Sequence, residues 1–135
     1  GFIQTELTRN LTQDIISEFD VRTRDASSLA TSLSGGNLQK FVVGRELLQN
    51  PKLLVINQPT WGVDAAAASF IRQAIINLAG AGTAIILISQ DLDELLEVSD
   101  DFTALVSGRI SDPRPVGDLG LKDIGEMMSG TLLND

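Results

Sequence analysis

The chain has 135 residues, enough for one domain at most, and at this size roughly two-thirds of the unfolded surface can be buried, so a true core is possible. Its 18 acidic against 10 basic side chains leave a net charge of -8, a field that repels phosphate backbones and anionic headgroups and excludes nucleic acid as an expected partner. It has no cysteine, hence no disulfide, thiolate nucleophile or zinc-thiolate site, and no histidine, the usual transition-metal ligand; this fits a reducing cytosolic compartment.

No apolar run approaches the roughly 20 residues of a membrane span. The start, Gly1-Phe2-Ile3-Gln4, lacks the basic residues and apolar run of a signal peptide and reads as a boundary cut into a longer chain. From Glu6 to Phe19, Leu7, Leu11, Ile15 and Phe19 recur every four residues, which predicts an amphipathic helix. Val21 to Thr31 is polar and patternless. Ser32-Leu33-Ser34-Gly35-Gly36 then reads as a helix start, with the helix itself over Gln39 to Leu48 and Asn50-Pro51 as its stop. Leu53-Leu54-Val55-Ile56 is an unbroken apolar run, the pattern of a strand covered on both faces of a parallel sheet.

After Pro59, Asp64 is placed to cap a helix from Ala65 to about Ala79, which Gly80-Ala81-Gly82 ends before a second strand, Thr83 to Ser89. Leu92 to Val98 predicts a short helix, and Phe102 to Ile110 a hairpin turning at Ser107-Gly108. Pro113 and Pro115 open a tail with a weak helix over Leu119 to Met128. The acidic residues Asp91, Asp93, Glu94 and Glu97 read as a solvated helical face, because they lack the alternating oxygen ligands and glycine of a calcium loop, and no metal ligands are assigned.

Leu33-Ser34-Gly35-Gly36-Asn37-Leu38-Gln39-Lys40 sets small residues at a helix mouth, where backbone N-H groups lack internal partners and can hold an anion. Glycines let a phosphate approach and a serine hydroxyl adds a directed donor, although the same residues also make an ordinary helix cap. One helix downstream comes the apolar strand followed by Asn57-Gln58-Pro59-Thr60-Trp61-Gly62-Val63-Asp64, and then Thr83 to Ser89 followed by Gln90-Asp91. In order and approximate spacing these segments resemble the signature motif, the Walker B strand with its D-loop, and the switch loop of ATP-binding cassette (ABC) ATPases, and Ser107-Gly108-Arg109-Ile110 resembles their closing hairpin. The wording is most similar to the second cassette of simple-sugar or nucleoside importers that fuse two cassettes in one polypeptide.

The resemblance implies an α/β fold: a partial P-loop NTPase with a mostly parallel sheet and flanking helices. It implies part of a helical subdomain over residues 1–50, an ATPase-core segment over 51–112 and a C-terminal tail over 113–135. Leu33, Ser34, Gly35, Gly36, Asn37 and Gln39 take the ATP-binding signature positions, Asp64 the D-loop position and Gln90 the switch position. Asn57 and Gln58 stand where the family's magnesium-holding aspartate and water-activating glutamate stand. An amide is a poor magnesium ligand and cannot take a proton, so this corner is expected to be catalytically degenerate, with no catalytic residue assigned. The phosphate loop Gly-x-x-x-x-Gly-Lys-Ser/Thr occurs nowhere in the chain.

The expected role is therefore to supply the signature loop to ATP held by a partner cassette. The implied partners are that cassette and transmembrane permease subunits, with ATP and Mg2+ serving the complete transporter on the inner face of the cell membrane; the chain alone is expected to be inactive, to bind neither tightly, and to self-associate. A soluble ABC-type ATPase of DNA repair or translation is the alternative, and it calls for basic surfaces or long charged arms that this sequence lacks. Asp64 is both a helix cap and a candidate interface residue, and Trp61, the only tryptophan, suits either an interface or a core or loop-filling role.

Overall fold

The computed structural model describes residues 4–131; Gly1-Phe2-Ile3 and residues 132–135 lie outside the described residues. The chain divides into two compact units, one reaching to Ile88 and the other starting at Ser89.

In the first unit, helix α1 (Thr5–Glu18) carries hydroxyls that bond back along its axis, Thr8 Oγ1 to the Gln4 carbonyl at 3.0 Å and Thr12 Oγ1 to the Thr8 carbonyl at 2.8 Å. It closes at Asp20, whose φ of +47° lets the Val21 N-H reach the Ile16 carbonyl at 3.0 Å, a left-handed helix stop. Only the C-terminal half of its apolar stripe is covered: Ile15 and Phe19 are buried, whereas Leu7 and Leu11 face solvent. Helix α2 (Gly35–Leu47) begins earlier than its sequence pattern predicts, because Ser34 caps it and both glycines fall in the first turn. It packs on α1 through Gly44, where a Cβ would lie 2.7 Å from the Phe19 ring and 3.1 Å from Ile15 Cγ2. Only glycine allows that approach.

Strand β1 (Leu53–Asn57), helix α3 (Ala65–Gly80) and strand β2 (Ala84–Ile88) form a parallel β-α-β unit in which Leu54 pairs with Ile85 and Ile56 with Leu87. Helix α3 buries Ala67, Ile71, Ile75 and Leu78, one face at helical spacing, against Leu54 of the sheet and Val43 and Leu47 of α2. The expectation that the strands are covered on both faces is not met. Leu54, Ile56 and Ile85 pack into the core, but Leu53, Val55, Ile86 and Ile88 on the opposite face are each about half exposed. A continuous apolar run does not by itself say how many layers cover it.

The second unit contains helix α4 (Leu92–Val98), strands β3 (Asp101–Phe102), β4 (Leu105–Val106), β5 (Arg109–Ile110) and β6 (Arg114–Pro115), and helix α5 (Leu121–Ser129). β4 and β5 form the antiparallel hairpin expected around Ser107-Gly108. The residues read as a tail instead pair with the unit: β6 is antiparallel to β3, and α5 buries Ile124 and Met127 with Phe102 and Ala104. Ser111 is buried, and its hydroxyl accepts the Ala104 N-H at 3.0 Å. The acidic run is not uniformly solvated, since Glu94 is 2% exposed while Asp91, Asp93 and Glu97 face solvent. At α5 the Asp123 carboxylate accepts the Gly120 N-H at 2.9 Å and pairs with Arg114 at 3.2 Å, and these contacts hold its pKa below the ordinary carboxylate value.

Candidate functional site

The mouth of α2 is the most organised polar feature of the first unit. Ser34 takes an extended backbone conformation, and its Oγ accepts from the Asn37 N-H at 3.4 Å and from Asn37 Nδ2 at 2.8 Å. Both contacts use the oxygen as acceptor, which leaves the hydroxyl proton free to be donated outward. Asn37 is fixed in turn by the Arg22 N-H, which donates to its Oδ1 at 2.8 Å. The N-H groups of Gly35 and Gly36 find no acceptor among the described residues, as expected for the first turn of a helix. Ser34 and Gly35 are exposed; Leu33, Gly36 and Gln39 are half-buried.

The loop after β1 is tied to this mouth. Gln39 Nε2 donates to the Pro59 carbonyl at 2.8 Å, and a Cβ on Gly35 would lie 3.8 Å from the Gly62 carbonyl. Asp64 caps α3 as expected, its Oδ1 accepting the Ala67 N-H at 2.8 Å. A Cβ on Gly36 would meet only Ala67 Cβ, also at 3.8 Å. Such distances are ordinary van der Waals contacts, so no neighbour among the described residues requires glycine at 35 or 36. The free N-H donors of such a helix mouth suit an anion, which glycine allows to approach closely.

Asn57 ends β1 on the exposed side of the sheet, and Gln58 follows with φ +51° while its N-H extends the ladder to the Ile88 carbonyl at 2.8 Å. Neither side chain makes a hydrogen bond among the described residues. The corner where the strand ends therefore presents two neutral amides. Gln90 is exposed at the start of the second unit, just before the Asp91 N-H donates to Ser89 Oγ at 3.0 Å. The structure thus joins the signature positions to the 58–64 loop within the first unit, while Gln90 belongs to the second.

A recess of about 340 Å³ opens at the helix mouth, bordered by Arg22, Ser34, Gly36, Asn37, Lys40 and Asp64. Lys40 is committed within the fold: its Nζ pairs with Asp20 at 3.3 Å and lies 5.0 Å above the Phe70 ring centroid. Arg22 has no place in the sequence reading. It falls in a segment without periodicity, and only the contact of its N-H with Asn37 shows that this loop braces the helix mouth.

No family model matches the chain. It is 38% identical over 119 residues to the guanosine import ATP-binding protein NupO of Bacillus subtilis, covering 88% of this chain and 23% of that protein. It is 35% identical over all 135 residues to the nucleoside import ATP-binding protein NupA of Lactococcus lactis, 27% of that protein, and 41% identical over 118 residues to the glucose import ATP-binding protein TsgD13 of Haloferax volcanii, 86% of this chain and 22% of that protein. The chain spans about a quarter of the length of these curated relatives.

Among solved structures it matches a dimeric post-hydrolysis state of an ATP-binding cassette bound to ADP and Pi, with TM-score 0.72 at 21% identity over 86% of this chain and 50% of that one. It also matches an ATP-binding subunit of an ABC transporter, with TM-score 0.73 at 22% identity over 99% of this chain and 57% of that one. The fold is that of an ABC ATPase cassette, of which this chain covers part. By sequence, the chain is a homologue of the ATP-binding proteins of sugar and nucleoside import.

Proposed function

We propose that the chain is the C-terminal part of a cassette in an ABC importer ATPase, and that its α2 mouth closes on ATP held by another cassette. The observation that carries this reading is the Ser34-Gly35-Gly36 turn, exposed at Ser34 and Gly35. Among the described residues the Gly35 and Gly36 N-H groups find no acceptor and no neighbour demands a glycine at either position. In this role the Gly35 and Gly36 N-H groups and the Ser34 hydroxyl bind phosphate oxygens, Asn37 orients the serine, and Gln39 holds the helix to the 58–64 loop.

The chain's own corner, Asn57 and Gln58, orients water at most. Neither amide can accept a proton from it, so in the complete transporter ATP is hydrolysed, with Mg2+ as its cofactor, at another site. The relative lengths suit a fused pair of cassettes: the chain covers 50% of a solved cassette but 23% of a relative, so the relative is long enough for two. Within that frame residues 1–50 bring part of the helical subdomain and 51–112 the ATPase-core segment, the residues from 113 on pack with the second unit rather than trailing from it, and the assembly works with permease subunits at the cytoplasmic face of the membrane. Among the described residues no helix is long and apolar enough to cross a membrane, as suits a peripheral subunit. The relatives are import proteins, which favours this reading over a repair or translation ATPase.

Turnover of ATP by the complete protein tests the assignment. Ser34→Arg, which fills the mouth with a bulky side chain, is expected to lower it by about tenfold or more, in line with loss of one positioned phosphate donor. Gln58→Ala is expected to leave it unchanged. The reverse pattern would reassign catalysis to this chain.

A further inference from the structure

The hydrogen bonds at the α2 mouth run in one direction only. The Arg22 N-H is a donor without acceptor capacity, so it takes the Oδ1 end of the Asn37 amide at 2.8 Å and turns Nδ2 toward Ser34. Nδ2 is likewise a donor, and it meets Ser34 Oγ at 2.8 Å, closer than the 3.4 Å of the Asn37 N-H that makes the ordinary cap. Both contacts use the serine oxygen as acceptor, so its proton leaves on the outward side, where Ser34 is exposed. The start of this relay is anchored. Val21 is buried and its N-H is held by the Ile16 carbonyl at 3.0 Å, while Lys40 Nζ donates to the Asp20 carbonyl at 3.2 Å and pairs with the Asp20 carboxylate at 3.3 Å. The backbone just ahead of the Arg22 N-H is thereby tied to both α1 and α2.

We propose that Asn37 is a positioning residue that sets the polarity of the mouth: its amide, oriented by the Arg22 backbone, makes Ser34 a donor only. This rests on the function proposed above and adds to it the chemistry that position 37 demands. The Gly35 and Gly36 N-H groups also lack an acceptor among the described residues, so the mouth offers donors alone. It suits a ligand group that only accepts, a fully ionised phosphate. A carboxylate at position 37 would keep the size of the side chain and the contact with the Arg22 N-H, but it can only accept. The serine proton would then turn inward, and oxygen lone pairs would face the phosphate.

ATP turnover by the complete protein tests this through two double-mutant cycles, Ser34→Ala with Asn37→Ala and Ser34→Ala with Asn37→Asp. Ser34→Ala is expected to lower turnover by about tenfold or more, the loss of one positioned donor. Asn37→Ala beside the native serine is expected to lower it by about threefold or more, the worth of one oriented hydrogen bond. In the Ser34→Ala background Asn37→Ala is expected to change turnover by less than about twofold, because a residue that acts only through the serine has nothing left to position. Asn37→Asp keeps the brace on Arg22, and it is expected to cost less in that background than beside the native serine, the remainder being its charge facing the phosphate. A residue that merely braces the loop gives equal losses in both backgrounds. Equal losses, or no loss from either Asn37 change, overturn the positioning role and keep the function. Unchanged turnover in Ser34→Ala overturns the function, and with it any phosphate for position 37 to serve.

Discussion

Ser34 shows how a cap and a ligand donor coexist in one residue. Its oxygen accepts two hydrogen bonds from Asn37 and its proton stays available, so the contacts that start the helix also aim the donor outward. Asp64 has the same double position: it caps α3 and lies on the recess at the helix mouth. Asp64→Ala is expected to cost about 1 kcal/mol of stability by loss of the cap, measured by denaturant unfolding of the chain. A loss well below that would mean the cap contributes little and that the aspartate is kept for another reason. The capping by Ser34 and Asp64 was legible in the sequence because a serine or aspartate just ahead of a helix accepts one of its first free N-H groups. Arg22 was not legible, since its contribution is a backbone N-H directed at Asn37, and any residue type other than proline supplies one.

At the scale of elements, α1 and α2 meet where Gly44 removes a side chain from the contact, and α3 closes the core from the sheet side with Ile71 and Ile75. Gly44→Ala is expected to destabilise by about 1–3 kcal/mol through overpacking against Phe19. Ile71→Ala is expected to cost about 2–5 kcal/mol by leaving a cavity. Thermal or denaturant unfolding separates the two mechanisms, because a Phe19→Leu background should relieve the first and not the second.

In the second unit the Asp123 carboxylate has a lowered pKa, caused first by the Gly120 N-H and then by Arg114, so its contribution is present above the unfolded carboxylate value and is lost as pH falls through the folded one. Asp123→Asn is therefore expected to be less stable than the native chain at neutral pH, with the difference closing below about pH 4. Helix α1 was legible because its apolar spacing runs over many residues, and both parallel strands because their short apolar runs are bounded by proline or glycine. The two-residue strands β3 and β6 were not: the pairing of Arg114-Pro115 with Asp101-Phe102 is set by distant contacts, and proline there argues locally for a tail.

For the whole molecule the sheet carries the main consequence. β1 and β2 bury one face against the helices and leave Leu53, Val55, Ile86 and Ile88 about half exposed on the other, an apolar surface of the kind that drives association. The chain as it stands is expected to self-associate at micromolar concentration, and a Val55→Lys, Ile86→Lys pair to restore the monomer in sedimentation experiments without loss of helicity. A monomeric native chain would show instead that this face is tolerated in water. The sequence marked both strands as apolar throughout, which matches a sheet covered twice, and the lack of a phosphate loop in it already suggested that some apolar surface stays open; which face it is, the strand register decides.

Everything proposed for function turns on what the mouth of α2 touches, and ATP carrying a photoreactive group at its terminal phosphate measures that contact. In the complete protein under magnesium, the label is expected on residues 33–40 of this chain and to vanish when the other cassette's phosphate loop is disabled, while the same substitution leaves this chain folded. Label on residues 57–58 that survives that substitution, with none on 33–40, would contradict the account, because ATP would then be held by the chain's own corner.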